Sequence, residues 1–176
     1  MKRIKNTISL EELPALTWSQ IVEIMKEFPD RLLKRAIFLR TIKIQNEYDI
    51  FIQKLGIENM SDNIKNQIED LKNYKFSDKS KDLRTGSFND IDLKFMKNIF
   101  PYNISENIEH LIVWTNSDIS EVVRIFYLMD LDEFEDYIIF NNVDKIRSIK
   151  NINHYHMLVK KNNMEYVFNK LDQLLI

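Results

Sequence analysis

The sequence predicts an α+β fold in a single domain over residues 1–176. Three observations predict it. Apolar residues in the first part recur at the 3.6-residue spacing of amphipathic helices. The later part carries short apolar runs of strand length with helical stretches between them, an order that gives a small sheet with interleaved helices. The composition, 44% hydrophobic and 30% charged, suits a chain that builds its own core and is not disordered as a whole.

Residues 1–74 read as a helical part. Thr17 is an N-cap, and Trp18 to Phe28 forms a short helix with Trp18, Ile21, Val22, Ile24 and Met25 at helical positions. Pro29-Asp30 restarts the chain, and Asp30 caps a second helix predicted from Arg31 to Leu55. Gly56 stands where a C′ glycine would end that helix. Ser61 caps a third, through Leu71. Residues 75–90 are polar and rich in turn formers, and read as an exposed loop.

Residues 91–176 read as an α/β part. His110-Leu-Ile-Val-Trp-Thr115 is a buried strand by its compact apolar run. Ile119 to Met129 is a helix, Asp136 to Phe140 a second strand and His154 to Val159 a third. Val143 to Ile149 fits a helical turn, and Asn163 to Leu175 closes the chain as a helix. The acidic run from Asp130 to Asp136 reads as a solvated loop.

Several chemistries are excluded. There is no cysteine, so disulfides, thiolate nucleophiles and thiolate metal sites cannot form. The two glycines, Gly56 and Gly86, stand alone, so no glycine-rich phosphate loop exists. The net charge of −2 gives no global basic field for nucleic acid. The basic start Met1-Lys-Arg has no apolar run behind it, and no stretch approaches the ~20 apolar residues of a membrane span. The expectation is a cytoplasmic or nuclear protein.

The three histidines all lie in the C-terminal half. His154 and His156 are two apart on a predicted strand, so both side chains leave one face. His110 begins another strand. If the strands are neighbours, three imidazoles converge. Such a cluster suits phosphate-ester chemistry, because the ordinary imidazole pKa near 6.5 leaves both protonation states accessible. It equally suits a metal held by His110, His154 and His156. A third reading makes these histidines structural. Nothing in the sequence names a cofactor.

Around the histidines stand candidate ligand-binding residues. Asn98 and Tyr102 lie in Asn98-Ile-Phe-Pro-Tyr102, where Pro101 biases Phe100 to extended geometry. Trp114 offers a stacking ring. Asn141 lies where a strand runs into a turn. Arg147 and Ser148 follow, within a basic set of Lys145, Arg147, Lys150, Lys160 and Lys161 that would pair with phosphate or merely be solvated.

Taken together, the blocks Asp92-Leu-Lys94, Asn98-x-Phe-Pro-Tyr102, Ile108-Glu-His-Leu-Ile-Val-Trp-Thr115, Ile139-Phe-Asn-Asn142, Arg147-Ser-Ile149 and Ile152-Asn-His-Tyr-His-Met-Leu-Val159 resemble the fungal N-acetylglucosamine-induced protein family. Order and spacing match over residues 92–160, with Ile99 standing where the family block has an acidic residue. The resemblance implies an intracellular protein linked to amino-sugar metabolism. A looser analogy connects His154-x-His156 to the histidine-triad nucleotide hydrolases, but Leu158 occupies the place of the third histidine.

The sequence therefore leads to a small-ligand protein that binds, with or without hydrolysis, a nucleotide, nucleotide-sugar or sugar phosphate at the histidine and aromatic residues. A capped RNA end is a special case of the same chemistry. The alternatives are a non-catalytic domain that docks a protein partner through its helical N-terminal half, and a His-ligated metalloprotein.

Overall fold

The computed structural model describes residues 13–27, 32–33, 38–55, 82–88, 91–142 and 153–173. The fold is α+β. In chain order the elements are α1 (Trp18–Lys26), β1 (Leu32–Leu33), α2 (Ile42–Leu55), β2 (Asp82–Phe88), β3 (Ile91–Lys97), β4 (Ile108–Thr115), α3 (Ile119–Leu128), β5 (Tyr137–Asn142), β6 (Asn153–Lys160) and, after a 3-10 turn at Lys161–Asn163, α4 (Met164–Asp172). The strands form one sheet in the order β1-β5-β6-β4-β3-β2. All neighbours are antiparallel except β1 and β5, which run parallel.

Alternation along each strand divides the sheet into two faces. One face is covered by α3 and α4. Leu93, Leu111, Val113, Ile139 and Met157 meet Val122, Ile125, Phe126, Val167, Phe168 and Leu171 there. These helices form where their apolar residues recur on one side, and α3 starts where the Asp118 side chain accepts the Glu121 N–H at 3.0 Å. The second face carries Ile108, Ile138, Phe140 and Leu158, and it packs against Ile21 and Met25 of α1, Phe38 and Tyr102. Helix α1 begins at Thr17, whose N–H is taken by the Gln20 side chain at 2.9 Å in a capping box. Leu16 anchors its approach by pairing with Asn103 and Ser105.

Several expectations are corrected. The single helix predicted over 31–55 does not exist. Leu32–Leu33 pair with Asn141–Asn142 as a parallel strand, and the helix begins only at Ile42. Leu and Ile runs satisfy a helical template as well as a buried strand, and tertiary pairing decided between them. The predicted loop over 75–90 contains β2, which forms a hairpin with β3. Its turn-like residues Arg84-Thr-Gly-Ser87 sit inside the ladder. The strands expected at 110–115, 136–140 and 154–159 and the helices expected at 18–28, 119–129 and 163–175 lie where the pattern put them, within a few residues at their ends, whereas β3 was not expected. The helix expected over 61–71, the turn expected over 143–149 and the caps assigned to Asp30 and Gly56 lie outside the described residues.

Candidate functional site

The histidines meet on the second face. Strands β4 and β6 are direct neighbours, with Ile112 opposite His156 and Trp114 opposite His154. Period-2 alternation sends His110, Trp114, His154 and His156 to the same side. His110 Nε2 lies 2.9 Å from His156 Nδ1. The His154 and His156 rings stand 6.2 Å apart, and His154 lies 5.0 Å from the Trp114 ring.

A loop and a neighbouring strand complete the network. Just after β3, the Asn98 N–H donates to the His110 carbonyl at 2.8 Å, and the Asn98 side-chain oxygen accepts the Phe100 N–H at 2.9 Å. This tight turn places Pro101 so that the Tyr102 N–H donates to His110 Nδ1 at 3.3 Å. The Tyr102 ring stacks on His110 at 4.7 Å and on Phe38 at 5.4 Å. From β5, the Asn142 amide lies 3.0 Å from His156 Nε2 and 3.2 Å from the Tyr102 hydroxyl. Phe140 packs flat on His156 at 5.3 Å. Arg40 donates from Nε to the Phe100 carbonyl at 3.0 Å, and its guanidinium sits over the rings of Tyr48, at 4.2 Å, and Tyr102, at 5.4 Å.

Burial sets the electrostatics. His110 is shielded from water, and the nearby Arg40 charge opposes a second cation, so its pKa falls to about 3. At neutral pH it is uncharged. The expectation that each imidazole would have both protonation states accessible is therefore wrong for His110. Burial likewise raises the Tyr102 pKa above its ordinary value, although the nearby Arg40 charge pulls the other way. The hydroxyl therefore stays protonated.

Of the residues picked from sequence, Asn98, Tyr102, His110 and His156 form one hydrogen-bonded group, and Trp114 with His154 lies beside it. Asn141 does not share that face; Asn142 does. The Asn141 side-chain oxygen is buried and has no hydrogen-bond partner among the described residues. Arg147 and Ser148 lie outside the described residues. No three His, Asp or Glu side chains among the described residues group as ligands of one metal ion.

Sequence reasoning missed Phe38, Arg40, Asn142 and Lys94. Lys94 is the most informative of them. It is only 1% exposed and lies opposite Trp114, which in turn lies opposite His154. A lysine, a tryptophan and a histidine thus cross the sheet in one row on the histidine face. The signal was the alternation of Leu93 and Phe95 against Lys94 and Met96, which identifies a strand with a lysine facing the histidines.

A mainly antiparallel sheet with a helical layer on one face and a buried histidine pair on the other defines the class of this molecule. Within it, the chain belongs to the family described as protein of unknown function (DUF3605), whose model matches residues 17–125. That span holds Lys94, Asn98, Tyr102, His110 and Trp114. No curated protein matches. The solved structure described as the crystal structure of HTC1 is 17% identical, with 92% of this chain and 96% of that chain covered and a TM-score of 0.59. That likeness concerns the fold alone. No helix among the described residues is long and apolar enough to cross a membrane.

Proposed function

We propose that this protein binds a phosphorylated small ligand, a nucleotide, nucleotide-sugar or sugar phosphate, on the histidine face of the sheet. The observation that carries the reading is the row Lys94–Trp114–His154 running beside the His110–His156 pair. The placement of a lysine next to a stacking ring and imidazoles suits an anion attached to a flat or sugar ring. The resemblance to the N-acetylglucosamine-induced proteins directs attention to amino-sugar derivatives. A capped RNA end would use the same ring and cation. The protein would act inside the cell, in cytoplasm or nucleus.

The test is a calorimetric and thermal-shift screen with nucleotides, nucleotide-sugars and sugar phosphates. A ligand at ~100 times its Kd adds about 2.7 kcal/mol of stability. Lys94→Met keeps the length of the side chain and removes the charge. It should weaken binding of the responding ligand at least ~10-fold, the ~1.4 kcal/mol or more of one lost charge-assisted contact. A screen without any response at millimolar ligand would overturn the reading.

A second reading, a protein-docking domain, is favoured by one observation: α2 leaves Ile50 and Phe51 on its surface. Loss of a partner on Ile50→Ser, with the ligand screen silent, would support it.

A further inference from the structure

The hydrogen-bond network determines which proton each buried histidine carries. The starting point is the Tyr102 main-chain N–H, a donor that cannot rotate away or be deprotonated. It points at His110 Nδ1 at 3.3 Å, so that nitrogen holds a lone pair. The Asn98 amide does not discriminate between the two ring nitrogens: its oxygen is fixed by the Phe100 N–H, and its nitrogen lies 3.4 Å from His110 Nδ1 and 3.2 Å from Nε2. The main-chain donor decides. A neutral His110 must then carry its proton on Nε2.

That proton lies on the 2.9 Å line to His156 Nδ1, which is therefore the acceptor. A second proton on His156 Nδ1 would set two N–H groups against each other. His156 accordingly carries its proton on Nε2, and that N–H needs an acceptor of its own. The group 3.0 Å away is the Asn142 amide, which also lies 3.2 Å from the Tyr102 hydroxyl. The two ends of a carboxamide have nearly the same shape, and their order follows from their partners. With the Asn142 oxygen turned inward, one carbonyl accepts both the His156 N–H and the Tyr102 O–H. With nitrogen inward, two donors would collide.

We infer that His156 is locked as a neutral Nε2–H donor and acts on its ligand by donating a hydrogen bond to an acceptor oxygen, not as a nucleophile or general base. Its Nδ1 lone pair is held by His110, so no lone pair remains to attack phosphorus or take a proton. The ligand atom placed here is a phosphoryl, carbonyl or hydroxyl oxygen that replaces the Asn142 oxygen. A neutral imidazole N–H aimed at a developing negative charge is a recognised electrophilic device. Tyr102 becomes a positioning residue, because its main-chain N–H sets the proton on both rings. The oxygen-ligand half of this inference rests on the proposed phosphorylated ligand. The proton assignment stands without it.

Three measurements test it. Two-bond proton–nitrogen NMR on the ligand-free, nitrogen-15-labelled protein at pH 7 should show the Nε2–H tautomer for His110 and His156. An Nδ1–H or doubly protonated ring at either position would overturn the inference whatever the ligand screen finds. Mass spectrometry under alkaline conditions, after incubation with ATP or UDP-N-acetylglucosamine, should find no phosphoryl or nucleotidyl adduct on His156. An adduct there would likewise overturn it. The third measurement uses His156→Gln, which keeps one acceptor and one donor, beside His156→Leu, which keeps neither. For a ligand that the wild type binds, Gln should stay within about threefold of wild-type affinity and Leu should lose at least tenfold. Equal loss in both variants, with both folded, would show that the imidazole does more than donate. If the wild type binds nothing while the tautomers are as stated, the ligand reading fails and the proton assignment survives.

Discussion

The two faces of the sheet are built on opposite principles. Under α3 and α4 the contacts are mainly apolar, with Phe126 set edge-on against Tyr137 at 4.9 Å and stacked over Phe95 at 6.1 Å. On the other face the interior holds His110, His156 and Lys94, each at most 6% exposed. Apolar packing needs only shape, whereas buried polar groups need every donor matched to an acceptor. The first face can therefore absorb changes by repacking. The second is a chain of dependencies, in which one main-chain N–H decides the protonation of residues two hydrogen bonds away. This contrast is why the histidine face is the place to look for function.

The largest effect should come from the apolar face. Phe126→Ala removes a fully buried ring and should lower stability by ~3–5 kcal/mol, read from denaturant midpoints. The His110–His156 tautomers in the remaining folded protein should not change. A change in those tautomers would show that the faces are coupled through the sheet and would break the comparison.

The apolar face was also the more legible one. Helix α3 and strands β4, β5 and β6 were readable because each carries a clean local signal: a compact apolar run in Tyr137–Phe140, and 3.6-residue spacing in Val122, Ile125 and Phe126. The histidine face was legible in part. His154 and His156 were placed on one side by spacing alone, and the adjacency of His110 followed once β4 and β6 were neighbours. Lys94 was overlooked, because β3 was not read as a strand although Leu93 and Phe95 alternate with Lys94 and Met96, and the preceding β2 looks like a loop. The glycine and charges of β2 lower its strand propensity, and pairing with β3 overrides that. Asn142 was passed over for Asn141 because the strand was expected to end at Phe140. Two more residues of strand reverse which asparagine faces the histidines. The low pKa of His110 was invisible as well, since burial by Phe38 and Tyr102 and the nearness of Arg40 are long-range facts.

A middle-sized effect separates the faces by pH. The folded-state pKa of His110, about 3, lies below the ordinary imidazole value of 6.5. The unfolded chain therefore binds the proton more readily. The stabilising contribution is fully present above pH 6.5 and is lost as the pH falls toward 3. Between pH 7 and 5, above most carboxylate titration, this histidine alone should remove about 2 kcal/mol of stability. His110→Gln, which cannot titrate, should flatten the slope over that window. Urea midpoints across the pH range check this. An unchanged slope in the variant would mean that His110 takes up a proton as readily in the folded state as in the unfolded chain, and that burial does not hold its pKa down.

The smallest effect tests which part of Tyr102 matters. The residue contributes a ring stacked between Phe38 and His110, a main-chain N–H to His110 and a hydroxyl beside Asn142. Tyr102→Phe deletes only the hydroxyl. The Asn142 oxygen keeps its bond from His156, so no acceptor is left bare, and the loss should be that of one neutral hydrogen bond, about 0.5–1.5 kcal/mol. The ring still excludes water from His110, so the pH slope should match wild type, and the main-chain N–H still holds the His110 proton on Nε2. Midpoint, slope and histidine NMR can be read on the same samples. A loss of ~3 kcal/mol or more, or a changed tautomer at either histidine, would mean that the proton pattern is set from the hydroxyl end and not from the main chain. Tyr102 would then act through its side chain, and the order of dependence along the histidine face would run in reverse.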